Sequence, residues 1–393
     1  MKKNLQNILT FSMIVLINFI ITTVIYYASF VKGNNGIAID LFGGGNDGYF
    51  YWEQAMNVVN GNNWIRTSIY PLVIGTLMKY TGIHHVYLIR IFNLIGLLMV
   101  YCLSFSLLSK TILNNNLKKY NVPSITGTLF LLVMLCYPSL LMNTHLSIYR
   151  DVWIYLFYIL NILLTSSIAI NSKFSFNKIL LLLVSEIMLF EFRKYAAVSF
   201  VVGILVYKLY SFLKKRGQIK ILLFYLIAIF AIYYTFLIDF RVPILNKSLS
   251  DVLLMRSTGI EFFSGGSQMN ITLNQSNILL FFYNYLISYI YNLIGPLPWQ
   301  INSIGTLVVF FTESLTFIYI LSFIFKNRKK ITNAESYLLF HGFIWNGFIA
   351  IFNDNLGTAA RLRVPTGILL IITYFSLKLH LKYTNENKIK NEN

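Results

Sequence analysis

The chain is 393 residues long, 56% hydrophobic and 12% charged, with a formal net charge of +18. That balance belongs to a polytopic membrane protein and excludes a soluble globular domain or a disordered chain. The lysines gather in short clusters between long apolar runs, so the charge reads as topology and contact with anionic membrane lipids, not as nucleic-acid binding.

Taken in order, apolar runs of spanning length fall at about 8–29, 86–108, 124–142, 152–171, 196–213, 219–240, 302–325, 335–352 and 364–382. The first follows Lys2-Lys3 as a signal peptide would, but it lacks a small-residue cleavage site and is long enough to span, so it is kept as a helix. A shorter run, 178–192, also has to cross to keep the charges consistent. The clusters Lys2-Lys3, Lys118-Lys119, Lys214-Lys215-Arg216, Lys326 to Lys330 and Lys378 to Lys390 then mark cytoplasmic ends. Ten spans follow, with both termini cytoplasmic. The run 279–295 is read as a re-entrant or interfacial hairpin ending at Gly295-Pro296-Leu297-Pro298-Trp299, because a full crossing would turn Lys326 to Lys330 outward. Ile69 to Tyr80 is too short to span and is placed at the outer interface. Residues 1–385 form one all-α transmembrane domain and 386–393 a polar cytoplasmic tail. Cys102 and Cys136 both lie in apolar runs, which supports neither a disulfide framework nor a thiolate metal site.

The arginines separate from the lysines. Arg66, Arg90, Arg150, Arg193, Arg241, Arg256, Arg361 and Arg363 fall in outward segments, and only Arg216 and Arg328 lie on the lysine side. Guanidinium grips phosphate as a planar fork, where lysine offers a point charge. The pattern therefore points to an outward site for a phosphate-bearing, lipid-linked substrate. The bland alternative, arginines snorkelling at the outer interface, covers part of the set.

Two outward segments are long enough to carry function, 31–85 and 241–277. The first contains Gly43-Gly44-Gly45-Asn46-Asp47-Gly48-Tyr49-Phe50-Tyr51-Trp52-Glu53 ahead of a helical stretch over 49–59. Asp47 is either an N-cap or a carboxylate projecting over the membrane surface, able to take a proton from a sugar hydroxyl. Tyr49, Tyr51, Trp52, Trp64 and Trp299 are the aromatic residues placed to stack on a sugar. His84-His85 cannot share a helix face and has no third ligand at metal spacing. His145 contacts an acceptor or caps a helix, with the second reading preferred. Glu191 is accounted for by pairing with Arg193 or Lys194, while the intramembrane Glu186 and Glu313 have no account.

Asp47-x-Tyr49-x-Tyr51…Ala55…Gly61, then Tyr70-Pro71-Leu72…Gly82 and Arg90-x-x-Asn93, resembles the opening of the GT-C membrane glycosyltransferases, which take sugar from a polyprenyl-phosphate or polyprenyl-pyrophosphate carrier. The resemblance implies that Asp47 is the catalytic base. Ser147-Ile148-Tyr149-Arg150-Asp151 resembles the segment where the family has a second acid, holding metal or positioning the acceptor; here Asp151 holds Arg150 or a metal. Phe192-Arg193-Lys194-Tyr195 resembles the family's arginine-containing turn near the carrier phosphate. Gly295 to Trp299 and Asn355-x-Gly357-Thr358-Ala359-Ala360-Arg361-x-Arg363-x-Pro365 resemble late motifs of bacterial surface-polysaccharide members.

By that resemblance the substrate-binding set is Tyr49, Arg150, Asp151, Arg193, Lys194, Trp299, Arg361 and Arg363. The partners are a polyprenyl-linked sugar donor, a glycan or lipid acceptor and membrane lipids, at the outer face of a bacterial plasma membrane. No tandem Asp-x-Asp stands in the first loop, so a divalent cation, Mg or Mn, is compatible but not demanded. Two other readings stay open: a capsule or O-antigen repeat-unit polymerase leaning on Arg361-x-Arg363, and a non-enzymatic lipid-glycan flippase.

Overall fold

The computed structural model of the chain describes residues 2–39, 46–114, 124–170, 175–243, 245–262, 267–273 and 277–392. All regular structure among them is helical, with three isolated bridges. The α-helices are α1 Lys2–Val31, α2 Asn46–Asn60, α3 Tyr70–Thr81, α4 Val86–Asn114, α5 Ser124–Leu135, α6 Pro138–His145, α7 Asp151–Thr165, α8 Phe176–Phe192, α9 Lys194–Lys215, α10 Lys220–Phe236, α11 Leu249–Phe262, α12 Ile278–Ile294, α13 Ile304–Val309, α14 Leu315–Lys326, α15 Asn333–Phe352, α16 Leu356–Leu362 and α17 Val364–Glu392.

Six helices are long and apolar enough to cross a membrane, or seven if the bent pair α5–α6 is one span. That supports a multi-pass protein, and the expected runs outside this group differ from it for local reasons. α8 and α10 each have 17 residues, about 25 Å against a hydrocarbon core of about 30 Å. α15 has 20 residues, but its run carries Glu335, His341 and Asn346. The run 124–142 bends by 54° between α5 and α6, where Pro138 removes a backbone donor from any continuous helix. The expected hairpin at 279–295 is instead one unbroken 17-residue helix, α12, whose first amide hydrogens, on Leu279 and Leu280, are taken by the Asn277 side chain. Across the span Ile304–Lys326, α13 and α14 are joined by a π-helical turn, Phe310–Ser314.

The residues group into two compact units, the first comprising 1–193, 323–335 and 371–393, the second 194–322 and 336–370. In the first, α1 packs on α4 and α5, α4 on α7, α7 on α8, and α2 on α3. One face of α1 leaves Met13, Leu16, Phe19, Ile20 and Val24 exposed, as a lipid-facing stripe requires. Its opposite face buries Asn18 and Thr22, one turn apart, against both ring nitrogens of His145 (3.0 Å each). Arg90, buried on α4, donates to the carbonyls of Gly36, Ile37 and His145, tying the segment after α1 to the end of α6. In the second unit the cluster of Tyr234, Leu249, Leu253, Ile271, Leu273 and Phe281 packs α10, α11 and α12 together. Arg256 there donates to the carbonyls of Ile271, Ala350 and Asn353, to Ser288 and to Asp354.

Candidate functional site

α2 and α3 form a helical pair that stands apart from the long spans in character: both are short, and α2 is only weakly apolar. They pack closely because Gly75 on α3 presents no Cβ; one would lie 2.8 Å from the Ala55 carbonyl and from the Val58 side chain. The start of α2 is held against the segment ahead of α7 by a second close approach. A Cβ on Gly48 would stand 2.1 Å from Ser147 Oγ, and Ala38 bridges to Ser147 on the same segment. Asp47 is half-buried in the first turn of α2, where a carboxylate meets the positive end of the helix. It is the second residue of the helix, and Gly43-Gly44-Gly45 lies outside the described residues.

Tyr51 follows Asp47 by one turn on the same helix face. Its ring is buried, edge-on to Tyr70 at 5.3 Å, and the Arg150 guanidinium carbon is 5.7 Å from its centroid. Beneath it, Asn93 Oδ1 accepts from the Tyr70 hydroxyl and Trp153 Nε1, both at 3.1 Å, while Asn93 Nδ2 donates to the Tyr149 carbonyl. Asn93 therefore fixes the end of α7 that carries Arg150 and Asp151. Burial pushes the Tyr51 phenol up to about 12; the charges of Asp151 and Asp47 add to the rise and those of Arg150 and Arg193 oppose it. Of the residues expected from the sequence, Arg150 thus lies over the Tyr51 ring and Asp47, Asp151 and Arg193 act on its phenol through their charge, all inside one unit.

Asp151 meets Arg193 (Oδ1 to Nη1 3.2 Å), with side-chain exposures of 2% and 9%. Arg193 is the one residue between α8 and α9, in extended backbone, so its side chain leaves the helical path and returns to the start of α7. Glu191 pairs with Arg66 at 2.7 Å, not with Arg193 or Lys194. Glu186 accepts from Asn161 Nδ2 at 2.6 Å. No group of three or more His, Cys, Asp or Glu side chains arranged to hold a metal ion occurs among the described residues.

The remaining expected residues are placed as follows. Tyr49 is half-buried on α2. Lys194, Trp299, Arg361 and Arg363 belong to the second unit. Lys194 is exposed at the first residue of α9. Trp299 is exposed and donates Nε1 to the Tyr291 hydroxyl at 3.0 Å. Arg361 is half-buried in α16. Arg363 is fully buried: it pairs with Glu313 at 2.7 Å and donates to the Gly295 carbonyl. That tie joins the π turn, the end of α12 and the start of α17, and gives the acid Glu313 its reason.

No protein-family model, no curated protein and no solved structure matches the chain.

Sequence reasoning missed the supporting role of Tyr70 and Asn93. The signal was present as Tyr70-Pro71 and Arg90-x-x-Asn93, but their contact joins helices 23 residues apart and is not readable from either segment alone.

Proposed function

We propose that this protein is a membrane glycosyltransferase that moves a sugar from a polyprenyl-(pyro)phosphate carrier to a glycan or lipid acceptor at the outer face of a bacterial plasma membrane. The observation that carries the reading is that Asp47 and Tyr51 share a face of a short helix, with Arg150 over the Tyr51 ring and the Arg193–Asp151 pair at the adjoining start of α7. In this reading Asp47 accepts the proton of the acceptor hydroxyl as that oxygen bonds to the anomeric carbon. The anomeric carbon's bond to the carrier phosphate oxygen breaks, and one inverting displacement needs one base. Asp151 and Arg193 act as a positioning pair, each fixing the other's side chain.

The finer architecture belongs to the same proposal: ten spans in one GT-C-like domain over 1–385, with α8, α10 and α15 crossing and both termini cytoplasmic. Roles for Tyr49, Lys194, Trp299 and Arg361 toward donor or acceptor, and a Mg or Mn ion, rest on the resemblance. A capsule polymerase would lean on Arg361-x-Arg363, and the commitment of Arg363 to Glu313 weighs against it.

The test is glycan output in cells whose only copy carries Asp47→Asn, with membrane abundance measured alongside. Loss of product at unchanged abundance is expected. Full product would remove the base from the mechanism and favour a flippase, for which no base is needed.

A further inference from the structure

Two of the segments of spanning length, Ile304–Lys326 and Val364–Thr384, end among basic residues. Lys326, Arg328, Lys329 and Lys330 mark the end of the first, Lys378 and Lys382 the end of the second, and all six are exposed. The fold brings these two ends together inside the first unit. Phe323 meets Tyr374 edge-on at 5.0 Å, and Ser376 donates to Glu335 Oε1 at 2.8 Å. The basic stretch 326–330 lies in the chain between those two contacts, and Lys378 follows Ser376 by two residues.

The charge of this patch is not balanced from within it. Glu335 is the one acid in 323–335 and 371–384. It is buried and committed, its second oxygen accepting from the Thr332 amide at 2.9 Å. Lys326, Arg328, Lys329, Lys330 and Lys378 make no ion pair among the described residues.

Two of the cations are held in place by aromatic rings. The Arg328 guanidinium carbon lies 4.5 Å from the Phe325 centroid, and one of its five donors goes to the Phe325 carbonyl at 3.3 Å. Lys378 Nζ lies 5.5 Å from the Tyr374 centroid and donates to its hydroxyl at 3.3 Å. Phe325 is itself 67% exposed at the end of an apolar span. A soluble polyanion would need only the charge. A phospholipid needs cations at headgroup level and an apolar surface beside them, and both are present here.

We infer that the 326–330 segment and the end of α17 form a binding site for an anionic phospholipid, its phosphate held by Arg328 and Lys378 and its acyl chains against Phe325. Such a site is independent of the transferase reading. Unlike the general contact of basic loops with a membrane, it requires both segments at once.

The experiment is native mass spectrometry of the full chain in a non-ionic detergent, titrated with dioleoyl phosphatidylglycerol, dioleoyl phosphatidylcholine or glycerol phosphate. The parent is expected to retain phosphatidylglycerol at concentrations where it retains no phosphatidylcholine. Arg328→Gln/Lys378→Gln should lower that affinity about thirtyfold, roughly fivefold for each charge removed at a membrane surface. Lys329→Gln/Lys330→Gln, which alters only the surrounding field, should lower it by a smaller factor. Lys214→Gln/Lys215→Gln takes the same charge from a cluster on a single segment and should leave it unchanged. All these side chains are exposed, so the unfolding midpoint of the lipid-free protein should hold in every variant. If Arg328→Gln/Lys378→Gln lowers the midpoint, Lys329→Gln/Lys330→Gln decides by itself. The site is overturned if the parent retains both lipids alike, or if neither variant of the patch weakens retention. It is overturned equally if the Lys214→Gln/Lys215→Gln protein loses as much as the patch variants. Glycerol phosphate binding as tightly as the lipid would also overturn it, in favour of a site for free phosphate esters.

Discussion

Replacing Arg363 with Gln tests whether the late arginine motif binds substrate or holds the fold. Arg363 and Glu313 are each 1% exposed and 2.7 Å apart. Arg363 also donates to the Gly295 carbonyl, and its guanidinium carbon lies 5.5 Å from the Phe317 ring. Removing one partner of a buried pair leaves the other charge uncompensated, at a cost of about 3–5 kcal/mol. The lost bond to Gly295 adds about 0.5–1.5 kcal/mol. Glu313 cannot escape to solvent by a small shift, because it sits inside the π turn with Ser314 also buried. Arg363→Gln is therefore expected to destabilise the protein by about 3.5–6.5 kcal/mol, the sum of those two terms. Adding Glu313→Gln should recover about 2–3 kcal/mol of that loss, the coupling expected of groups in direct contact. The assay is reversible unfolding in mixed micelles by added SDS, followed by far-UV circular dichroism, for the parent, both single variants and the double variant. A coupling near zero, with each single variant within about 1 kcal/mol of the parent, would refute the buried tie. Loss of glycan output without loss of stability would restore the substrate role to Arg363.

Three further outcomes follow from the same geometry. Gly48→Ala forces a Cβ to within 2.1 Å of Ser147 Oγ and should lower stability by about 1–3 kcal/mol; Ser147→Ala in the same chain removes the clashing oxygen and should return most of that loss in the same unfolding assay. Arg256→Lys keeps the charge but not the fork that reaches Ile271, Ala350, Asn353, Ser288 and Asp354, so about 1–3 kcal/mol should be lost; a change below about 0.5 kcal/mol would show that the fork is dispensable. At the start of α11, Ser248 and Asp251 exchange side-chain bonds with each other's amide hydrogens, each at 3.0 Å. The Ser248 amide, first among the causes, holds the Asp251 carboxyl below its ordinary 3.8. A depressed folded value means stability that is present above the unfolded value and lost as pH falls through the folded one. Hydrogen-exchange protection of the first turn of α11 should accordingly fall in that acidic window, and Asp251→Asn should flatten the dependence.

Much of the helical framework was legible from run length and composition. The runs 8–29, 86–108, 152–171, 196–213, 302–325 and 364–382 each coincide with a helix long enough to span, because backbone in an apolar environment has to satisfy its hydrogen bonds within the segment. The helix after Asp47, the short helix at 70–81 and the break at Arg193 were equally local, read from periodicity and from punctuating residues. The bend at Pro138 and the unbroken course of α12 were decided by local geometry that composition blurs.

The arginines mark the boundary most clearly. That Arg90, Arg256 and Arg363 share a residue type with Arg150 and Arg193 was visible in the chain, and led to one expectation of an outward phosphate site, with interfacial snorkelling covering part of the set. The tertiary structure divided them: Arg90 and Arg256 each bind several carbonyls, Arg363 closes on Glu313, and Arg193 crosses to Asp151. A guanidinium has five donors and takes whatever acceptors converge on it. Which acceptors converge depends on helix ends far apart in the chain meeting at hydrogen-bond distance, as with Arg256 and Asp354 at 2.7 Å. Helix type and length are set by neighbours along the chain, so the sequence alone determined them. The partner of each buried charge was decided only when the helices packed.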